Sequence, residues 1–264
     1  MASSPELPTL SPEQRRAFGR NGYLVVRGVV VESLLAELEA EVDAVVADSP
    51  PPADKVGFHY YVEPVASLPV ADRVLRSSGV LGLAAELVAP LTIDHAFDHI
   101  QIATSIRGWD HEPGGGHIDG YGIDGQTEPH SFTLLVGIYL DDESLAGSGN
   151  LWVWPGSHRG HERLFRERGV DVLMGPDSKG GHACLLDEPP DLGQGAPVLA
   201  ERGDVVLAHY LLAHNQSGNM RLPLRRIAYY RLAAAGHRER WAATHTDALL
   251  EFEPVRSALD ADSA

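Results

Sequence analysis

The feature that most limits the possible folds is a series of short strand-like runs in the part of the chain after Pro90. Each run is apolar or alternates in polarity, and turns rich in glycine, proline or aspartate separate many of them. The runs are 91–106, 131–140, 151–154, 205–208, 210–213 and 224–232. Short strands at this spacing, preceded by helices, predict an α+β chain that is mainly β, with a helix-flanked antiparallel barrel or jelly roll.

Three helices are predicted in the first ninety residues. Ser11 is an N-cap followed by proline and, three positions later, Gln14, which is typical of a helix start. This helix should end at the Asn-Gly pair 21–22. A second helix is indicated over 32–46, where apolar residues recur at helical spacing until the prolines at 50–52. A third helix is predicted over 79–88.

The chain is expected to form one domain. Its 264 residues, of which 44% are hydrophobic, can bury one sizeable core. Residues 1–10 are predicted to be disordered, 11–250 to form a single domain, and 251–264 to be a flexible tail. We expect a loop at 58–61 and a long loop at 170–196, which is a candidate lid.

Charge and composition exclude several functional classes. A net charge of −16 argues against binding to nucleic acid. The single cysteine, Cys184, excludes an internal disulfide bond. No signal peptide is recognisable and no apolar run reaches the length of a membrane span, so a cytoplasmic protein without a membrane partner is expected. The sequence does not indicate an oligomeric state.

The stretch from Gly114 to Gly120 contains a candidate metal-binding pair. His117 and Asp119 are two residues apart, so in a strand their side chains point to the same face. Together they supply an imidazole nitrogen and a carboxylate oxygen, which is half of a metal site. The neighbouring glycines leave room beside them. The alternative is a strand that enters a surface turn with both side chains solvated, and a third ligand decides between the two.

His214 is the candidate third ligand. The turn formed by Gly218-Asn219 and Pro223 separates two strands, which makes His214 and Arg225 plausible neighbours. Two imidazoles and one carboxylate on one side of a metal suit a non-haem Fe(II) that also binds a co-substrate and oxygen. The planar guanidinium of Arg225 can bind the far carboxylate of a dicarboxylate co-substrate through two hydrogen bonds.

These motifs resemble those of a known family. The order is His117-x-Asp119, Tyr139-Leu140-Asp141-Asp142, Gly149-Asn150-Leu151 through Pro155-Gly156-Ser157-His158, Gly203-Asp204, and His214 and Asn219 with Arg225. It is similar to the phytanoyl-CoA dioxygenase family of Fe(II)/2-oxoglutarate oxygenases, from about Leu10 to Leu232. The resemblance implies a double-stranded β-helix, with His117, Asp119 and His214 as iron ligands and Arg225 as the anchor of 2-oxoglutarate. Iron(II), 2-oxoglutarate and oxygen are the implied cofactor and co-substrates.

Four further residues are predicted to bind the co-substrate with Arg225: Gln101, Thr133, Ser217 and Asn219. The family often has serine or threonine two residues after the distal histidine, where this chain has Gln216. Ser217 is the alternative candidate for that role. Arg225 and Arg226 are adjacent and must face opposite ways in a strand, and the spacing favours Arg225 as the anchor.

The expected reaction is hydroxylation of a small molecule of secondary metabolism, with release of succinate and carbon dioxide. Related halogenases replace the carboxylate ligand with a small residue, so Asp119 argues against halogenation; desaturation and ring formation stay open. The candidate substrate-binding residues are Phe58, Tyr60, Trp109, His111, Tyr121, His130 and Trp154.

Two other functional classes are compatible with the same motifs. A metal-dependent cupin-type enzyme would share the ligands without needing Arg225. A non-catalytic small-molecule-binding jelly roll would be expected to lose a ligand, and this chain keeps all three. We interpret His95, His99, His158 and His209 as structural residues.

Overall fold

The computed structural model describes residues 8–119, 130–173, 183–184 and 189–262. Seven α-helices lie in these ranges: four before residue 90, one at 157–168, and two after residue 234. Their bounds are α1 Pro12–Asn21, α2 Glu32–Asp48, α3 Pro69–Ser77, α4 Val80–Val88, α5 Ser157–Arg168, α6 His237–Thr246 and α7 Glu253–Asp260. None of the helices in the described part of the chain combines the length and the apolar character that crossing a membrane requires.

The strands form one large and two small antiparallel sheets. Their bounds are β1 Tyr23–Val26, β2 Gly57–Pro64, β3 Ile93–His95, β4 His99–Ile106, β5 Ile118–Asp119, β6 Leu134–Tyr139, β7 Leu151–Val153, β8 Ala183–Cys184, β9 Ala196–Pro197, β10 Val205–His209, β11 His214–Gln216 and β12 Leu224–Ala234. The large sheet has the order β1-β10-β6-β12-β4-β2, with β3 also paired to β12. The small sheets are β11-β7-β9 and β5-β8. The predicted jelly-roll architecture is confirmed.

The two faces of the large sheet have different partners. On β12, Ala228, Tyr230 and Leu232 belong to a buried cluster that also contains the apolar residues of α2, α3 and α4. Ile227 and Tyr229 face the other way, into a second cluster between the large and small sheets. Because side chains alternate along a strand, Arg225 and Arg231 lie on this inner face as well. The helices therefore cover one face of the sheet, and the other face is available for a site.

The predicted helix start and stop at the N-terminus are confirmed. The Ser11 side chain accepts a hydrogen bond from the Gln14 backbone, and the Gln14 side chain accepts one from the Ser11 backbone. Gly22 closes α1 with φ 79°, a left-handed conformation that glycine adopts without strain. The chain then enters β1, which forms an edge of the large sheet.

Three predicted elements differ from the structure. Residues 58–61 are not a loop but part of β2, whose pattern of alternating exposure is that of an edge strand. Residues 210–213 form a turn rather than a strand. The tail expected from 251 is helical over α7, because Phe252 and Val255 are buried and the helix packs against α1 at Gly19. The few apolar residues in 251–264 did not predict that this segment packs against α1.

Candidate metal centre

The two histidines of the candidate centre lie opposite each other. His117 and His214 exchange both backbone hydrogen bonds, at 3.0 and 2.9 Å, as one bridge between their two segments. Residues paired in this way place their side chains on the same face. The ring centres are accordingly 4.6 Å apart. Residues 97 positions apart in the sequence are thus brought together by two hydrogen bonds of the backbone.

Asp119 completes a group of three that could hold a metal ion. Its Oδ1 is 3.6 Å from Nε2 of His117 and 3.5 Å from Nε2 of His214. One ligand atom from each residue lies within 4.8 Å of the others. All three side chains are largely buried. The exposed fraction is 19% for His117, 9% for Asp119 and 14% for His214. This arrangement of two imidazoles and one carboxylate matches the triad of non-haem Fe(II) sites.

The protonation of the group suits a metal ion. Nδ1 of His214 lies 3.0 Å from the Leu212 carbonyl and donates to it, which directs Nε2 towards the candidate metal position. Burial lowers the pKa of His117, which favours its neutral form. Burial alone would also lower the pKa of His214, but the hydrogen bond and the charge of Asp119 raise it. Burial alone would raise the pKa of Asp119, but the charge of Arg231 and hydrogen bonds from the two histidines hold this pKa well below its usual value. The group therefore offers an ionised carboxylate between two imidazoles, and a bound metal ion would take the place of the protons that they share.

The glycines before His117 differ in their surroundings. A Cβ atom on Gly116 would lie 2.6 Å from the Trp154 ring and 3.1 Å from Ala213. A Cβ atom on Gly114 or Gly115 would meet no atom within 4 Å. The backbone at Gly116 therefore packs directly against the Trp154 ring, one residue before the candidate ligand His117. Of these three glycines, only Gly116 is required by packing.

Arg225 lies on the inner face of β12 and is completely buried. Its Nε donates a hydrogen bond of 2.9 Å to Oε1 of Glu143, which is also completely buried. Burial raises the pKa of Glu143 to about 8, in spite of the neighbouring guanidinium. Near neutral pH the carboxyl group is therefore mostly protonated, and Arg225 keeps an uncompensated positive charge.

Several buried polar atoms around Arg225 have no hydrogen-bond partner among the described residues. They include both Nη atoms of Arg225, Oε2 of Glu143, and the hydroxyl groups of Ser105, Tyr139 and Tyr229. Each buried donor left without a partner costs about 1–3 kcal/mol, and more when it is charged. A bound carboxylate would accept hydrogen bonds from these donors. The group around Arg225 is therefore suited to a carboxylate ligand, in agreement with the co-substrate expected from the sequence.

The neighbouring Arg226 has a structural role. Its guanidinium contacts Asp141, Asp43 and Glu39 on the helix-covered side of the sheet. Arg225 and Arg226 thus face opposite ways, and it is Arg225 that lies on the inner face of β12, on the side of the second buried cluster.

The other predicted co-substrate residues are less closely grouped. Gln101 lies on the inner face of β4, opposite Tyr229. Thr133 is not in the group, because its hydroxyl donates to Glu251 at 2.7 Å and accepts from the Ala234 backbone. Ser217 donates to the Asn150 carbonyl. Asn219 uses its side chain entirely within the turn, donating to the Ser105 and Leu222 carbonyls and accepting from the backbone of residues 221 and 222.

Four of the predicted substrate residues form one aromatic row. The Phe58 ring lies 6.3 Å from that of Tyr60 and 5.7 Å from that of Trp109, and Trp109 stacks on His111 at 4.4 Å. We call these four residues the aromatic row.

The aromatic row lies beside the inner face of the large sheet. Phe58 is opposite Ser105, which is opposite Arg225, so all three point to the same side. At a strand spacing of about 4.8 Å, Phe58 and Arg225 are about 10 Å apart at their Cα atoms. Phe58 and Tyr60 are 40% and 45% exposed, so the row offers aromatic surface next to the candidate centre.

The remaining predicted substrate residues lie elsewhere. Trp154 is only 4% exposed and packs between Gly116 and Gly195, which makes it part of the support of the centre rather than open surface. His130 is exposed and lies against Phe97. Tyr121 lies outside the described residues, as do residues 174–182 and 185–188 of the candidate lid at 170–196.

Two residues of the site were missed in the sequence. Arg231 donates to Asp119, and it could have been found because it follows Arg225 by six positions and so shares its face of the strand. Glu143 has no comparable signal, since it follows a turn and belongs to no strand. Its contact with Arg225 depends on the path of that loop.

The sequence as a whole matches a family model. Residues 18–227 match the model described as phytanoyl-CoA dioxygenase (PhyH). The chain belongs to this family. The expected resemblance is thereby confirmed. No curated protein sequence matches the chain significantly.

Several solved structures have a similar fold, and some of them contain a metal ion and 2-oxoglutarate. HygX from Streptomyces hygroscopicus, with nickel and 2-oxoglutarate bound, has a TM-score of 0.58 and 17% identity, covering 86% of this chain and 88% of its own. The carbocyclase SnoK from nogalamycin biosynthesis has a TM-score of 0.58 and 20% identity over 85% and 84%. The epimerase SnoN, in complex with Fe3+, alpha-ketoglutarate and nogalamycin RO, has a TM-score of 0.58 and 17% identity over 84% and 83%. At these identities the likeness establishes the fold.

Proposed function

We propose that this protein is a non-haem Fe(II)- and 2-oxoglutarate-dependent dioxygenase that hydroxylates a C–H bond of a small molecule. The observation that carries this proposal is that the three ligands and Arg225 lie on the same side of strand β12, where Arg231 contacts Asp119. His117, Asp119 and His214 would hold the iron, and Arg225 would hold the far carboxylate of 2-oxoglutarate. The family match and the ligands of the similar structures support the same assignment.

The residues of the chain would prepare the site for this chemistry. With oxygen, the bound iron and keto acid supply the oxidising power to break a C–H bond, and succinate and carbon dioxide are released. The lowered pKa values of His117 and Asp119 favour a neutral imidazole and an ionised carboxylate as metal ligands. The buried Arg225 binds its carboxylate away from water, where charge-assisted hydrogen bonds are strong.

The aromatic row supports a small-molecule substrate. Exposed and mutually stacked rings favour the apolar face of a natural product, because aromatic side chains bury large areas on contact. Similar structures have been determined with small molecules bound, hygromycin B in HygX and nogalamycin RO in SnoN. SnoK and SnoN are a carbocyclase and an epimerase, so proteins of this fold catalyse several reactions. We propose hydroxylation because it is the default outcome of the family chemistry.

An enzyme that used the metal without 2-oxoglutarate would explain the three ligands but not the surroundings of Arg225. In that case the buried Nη atoms would stay without partners. A non-catalytic binding protein would not need to conserve an assembled ligand group such as the one found here. The unpartnered donors therefore favour the 2-oxoglutarate-dependent reaction.

The experiment is an anaerobic addition of Fe(II) and 2-oxoglutarate to the protein. We expect the weak visible charge-transfer band of the chelate, followed by succinate formation once oxygen is admitted. His117→Ala and His214→Ala should abolish both signals with the fold retained, because neither side chain builds the core. Arg225→Ala should weaken 2-oxoglutarate binding strongly.

His59→Ala is a suitable control, since it removes a histidine from the opposite face of β2. This variant should behave like the wild type. Wild-type protein that binds iron but develops no band with 2-oxoglutarate would refute the co-substrate assignment. Turnover that is unaffected by Arg225→Ala would point to the enzyme class without 2-oxoglutarate. A screen of natural products for shifts of the band would then identify substrates, and Phe58→Ala or Tyr60→Ala should reduce those shifts.

A further inference from the structure

The two carboxylate oxygens of Asp119 have different partners. Oδ1 faces both imidazoles, at 3.6 and 3.5 Å from their Nε2 atoms. Oδ2 accepts two hydrogen bonds from Arg231, at 3.0 Å from Nε and 2.5 Å from Nη2. One oxygen is thus directed at the candidate metal position, and the other is occupied by a guanidinium group.

Arg231 is itself held in place. The carbon at the centre of its guanidinium lies 5.7 Å from the centre of the Phe132 ring, and Phe132 is 1% exposed. Its backbone is paired with Leu135 of β6. A planar group fixed on one side by a buried ring and on the other by two hydrogen bonds has little freedom to release the carboxylate.

We propose that Arg231 is a positioning residue that restricts Asp119 to a single oxygen as metal ligand. The inference rests on the proposed function. Three protein ligand atoms on one face of an octahedral ion leave three positions open, and these suffice for a chelating keto acid and oxygen. A carboxylate that bound through both oxygens would occupy one of the three. By holding Oδ2, Arg231 keeps that position available to the co-substrates.

A purely electrostatic role of Arg231 makes a different prediction. If the residue only balanced the charge of buried Asp119, any cation at this position would serve equally well. Lysine keeps the charge but loses the planar fork that donates twice to one oxygen. If the role is purely electrostatic, Arg231→Lys should bind 2-oxoglutarate as the wild type does. If the orientation of the carboxylate matters, Arg231→Lys should restore this binding only in part.

The experiment compares Arg231→Gln and Arg231→Lys with the wild type. Mn(II) binding and the binding of 2-oxoglutarate to the Mn(II)-loaded protein are each measured by calorimetry, and the anaerobic Fe(II)–2-oxoglutarate band is recorded. Loss of the groups that orient metal ligands typically costs about 10–100-fold in affinity or activity. We expect Arg231→Gln to weaken 2-oxoglutarate binding by about 10-fold or more, with a smaller change in Mn(II) affinity. Arg231→Lys should lie between Arg231→Gln and the wild type, and the band should be shifted or weakened in both variants.

Arg76→Gln is the matched control, because Arg76 also contacts an aspartate, Asp94, with two nitrogens, but on the surface. It should bind the metal and 2-oxoglutarate as the wild type does. Unchanged 2-oxoglutarate affinity in Arg231→Gln would overturn the proposal, as would full recovery in Arg231→Lys or a loss confined to Mn(II). If circular dichroism shows that Arg231→Gln is unfolded, the Arg231→Lys result decides. Failure of the wild type to form the band would instead refute the proposed function.

Discussion

At the level of single residues, the most informative contact is that between Arg225 and Glu143. A completely buried arginine normally requires a fully ionised partner, but here burial raises the pKa of that partner to about 8. The groups around Glu143 are Arg225 and Tyr139, with Asp141 and Asp142 further away. Near neutral pH the pair therefore carries net positive charge, which an incoming carboxylate can balance.

This charge state predicts how 2-oxoglutarate binding depends on pH. As the pH rises through about 8, Glu143 loses its proton and places a negative charge beside Arg225. Binding of 2-oxoglutarate to the Mn(II)-loaded protein should weaken between pH 7 and pH 9, by at most about tenfold per pH unit above the pKa. Calorimetry at several pH values measures this directly. In Glu143→Gln, which keeps an acceptor for Arg225 Nε, the decline should disappear; a decline of equal size in this variant would contradict the assignment.

Some residues of the site could be predicted from the sequence, and others could not. His117, Asp119, His214 and Arg225 could be selected because alternation along strands and the spacing across a turn relate them. The interaction of Glu143 with Arg225 could not be selected, because a loop places Glu143 and no periodicity describes a loop. The contact of Thr133, predicted to bind the co-substrate, could not be foreseen either, since the residue lies just before β6 and bonds to Glu251 from a distant part of the chain.

At the level of secondary-structure elements, the segment before β5 determines where the first ligand lies. Gly116 rests directly on the ring of Trp154, which belongs to the segment after β7. Gly114 and Gly115 have open space around them. In the sequence, all glycines of this run were expected to leave room beside the ligands. In the structure, Gly116 differs from the other two because it packs against Trp154.

A matched pair of substitutions tests this distinction. Gly116→Ala should displace the segment or the Trp154 ring, because the new Cβ atom would lie 2.6 Å from that ring. The resulting shift of His117 should weaken Mn(II) binding by roughly 10-fold or more, the scale typical of disturbed support for a ligand. Gly115→Ala should leave Mn(II) binding unchanged. Calorimetry of both variants checks the expectation, and equal behaviour of the two would show that the contact with Trp154 is not important.

Prediction of elements succeeded where the signal was local and failed where it depended on packing. The capping box at Ser11 and the left-handed glycine at 22 specify α1 without help from the rest of the chain. Strand β2 was expected to be a loop, because its exposed aromatic residues at 58 and 60 gave no apolar face to recognise. Helix α7 was expected to be a tail, and it is held by its contact with α1. The family resemblance implied the double-stranded β-helix, but no order of its strands was predicted.

At the level of the whole molecule, three of the buried histidines lie on three different elements of the fold. His161 of α5, His209 of β10 and His245 of α6 are at most 5% exposed. Burial lowers their pKa values to about 4, about 4 and about 3. All three hold backbone carbonyls through one ring nitrogen, so they are neutral structural residues of the fold.

These histidines predict a loss of stability in mild acid. The unfolded chain takes up protons as the pH falls below about 6.5, whereas the folded state does not until about pH 4. Stability is therefore fully present above pH 6.5 and decreases as the pH falls towards 4. One pKa unit corresponds to about 1.4 kcal/mol, so even a third of these shifts amounts to several kcal/mol of a total of about 5–15.

Urea unfolding between pH 7 and pH 4.5 measures the effect. The variant His245→Asn keeps a donor for the Trp241 carbonyl but has no titrating ring, and its stability should depend less steeply on pH. A flat profile of the wild type across this range would contradict the expectation.

Strand β12 carries both Arg225, the proposed anchor of the co-substrate carboxylate, and Arg231, which contacts the proposed metal ligand Asp119. Its segment between them is paired with β4 on one side and with β6 on the other, which fixes the backbone in an extended form. A co-substrate attached at both ends would thus be selected by the number of its carbon atoms. A keto diacid of the same charge but one methylene shorter or longer would leave one end unbound.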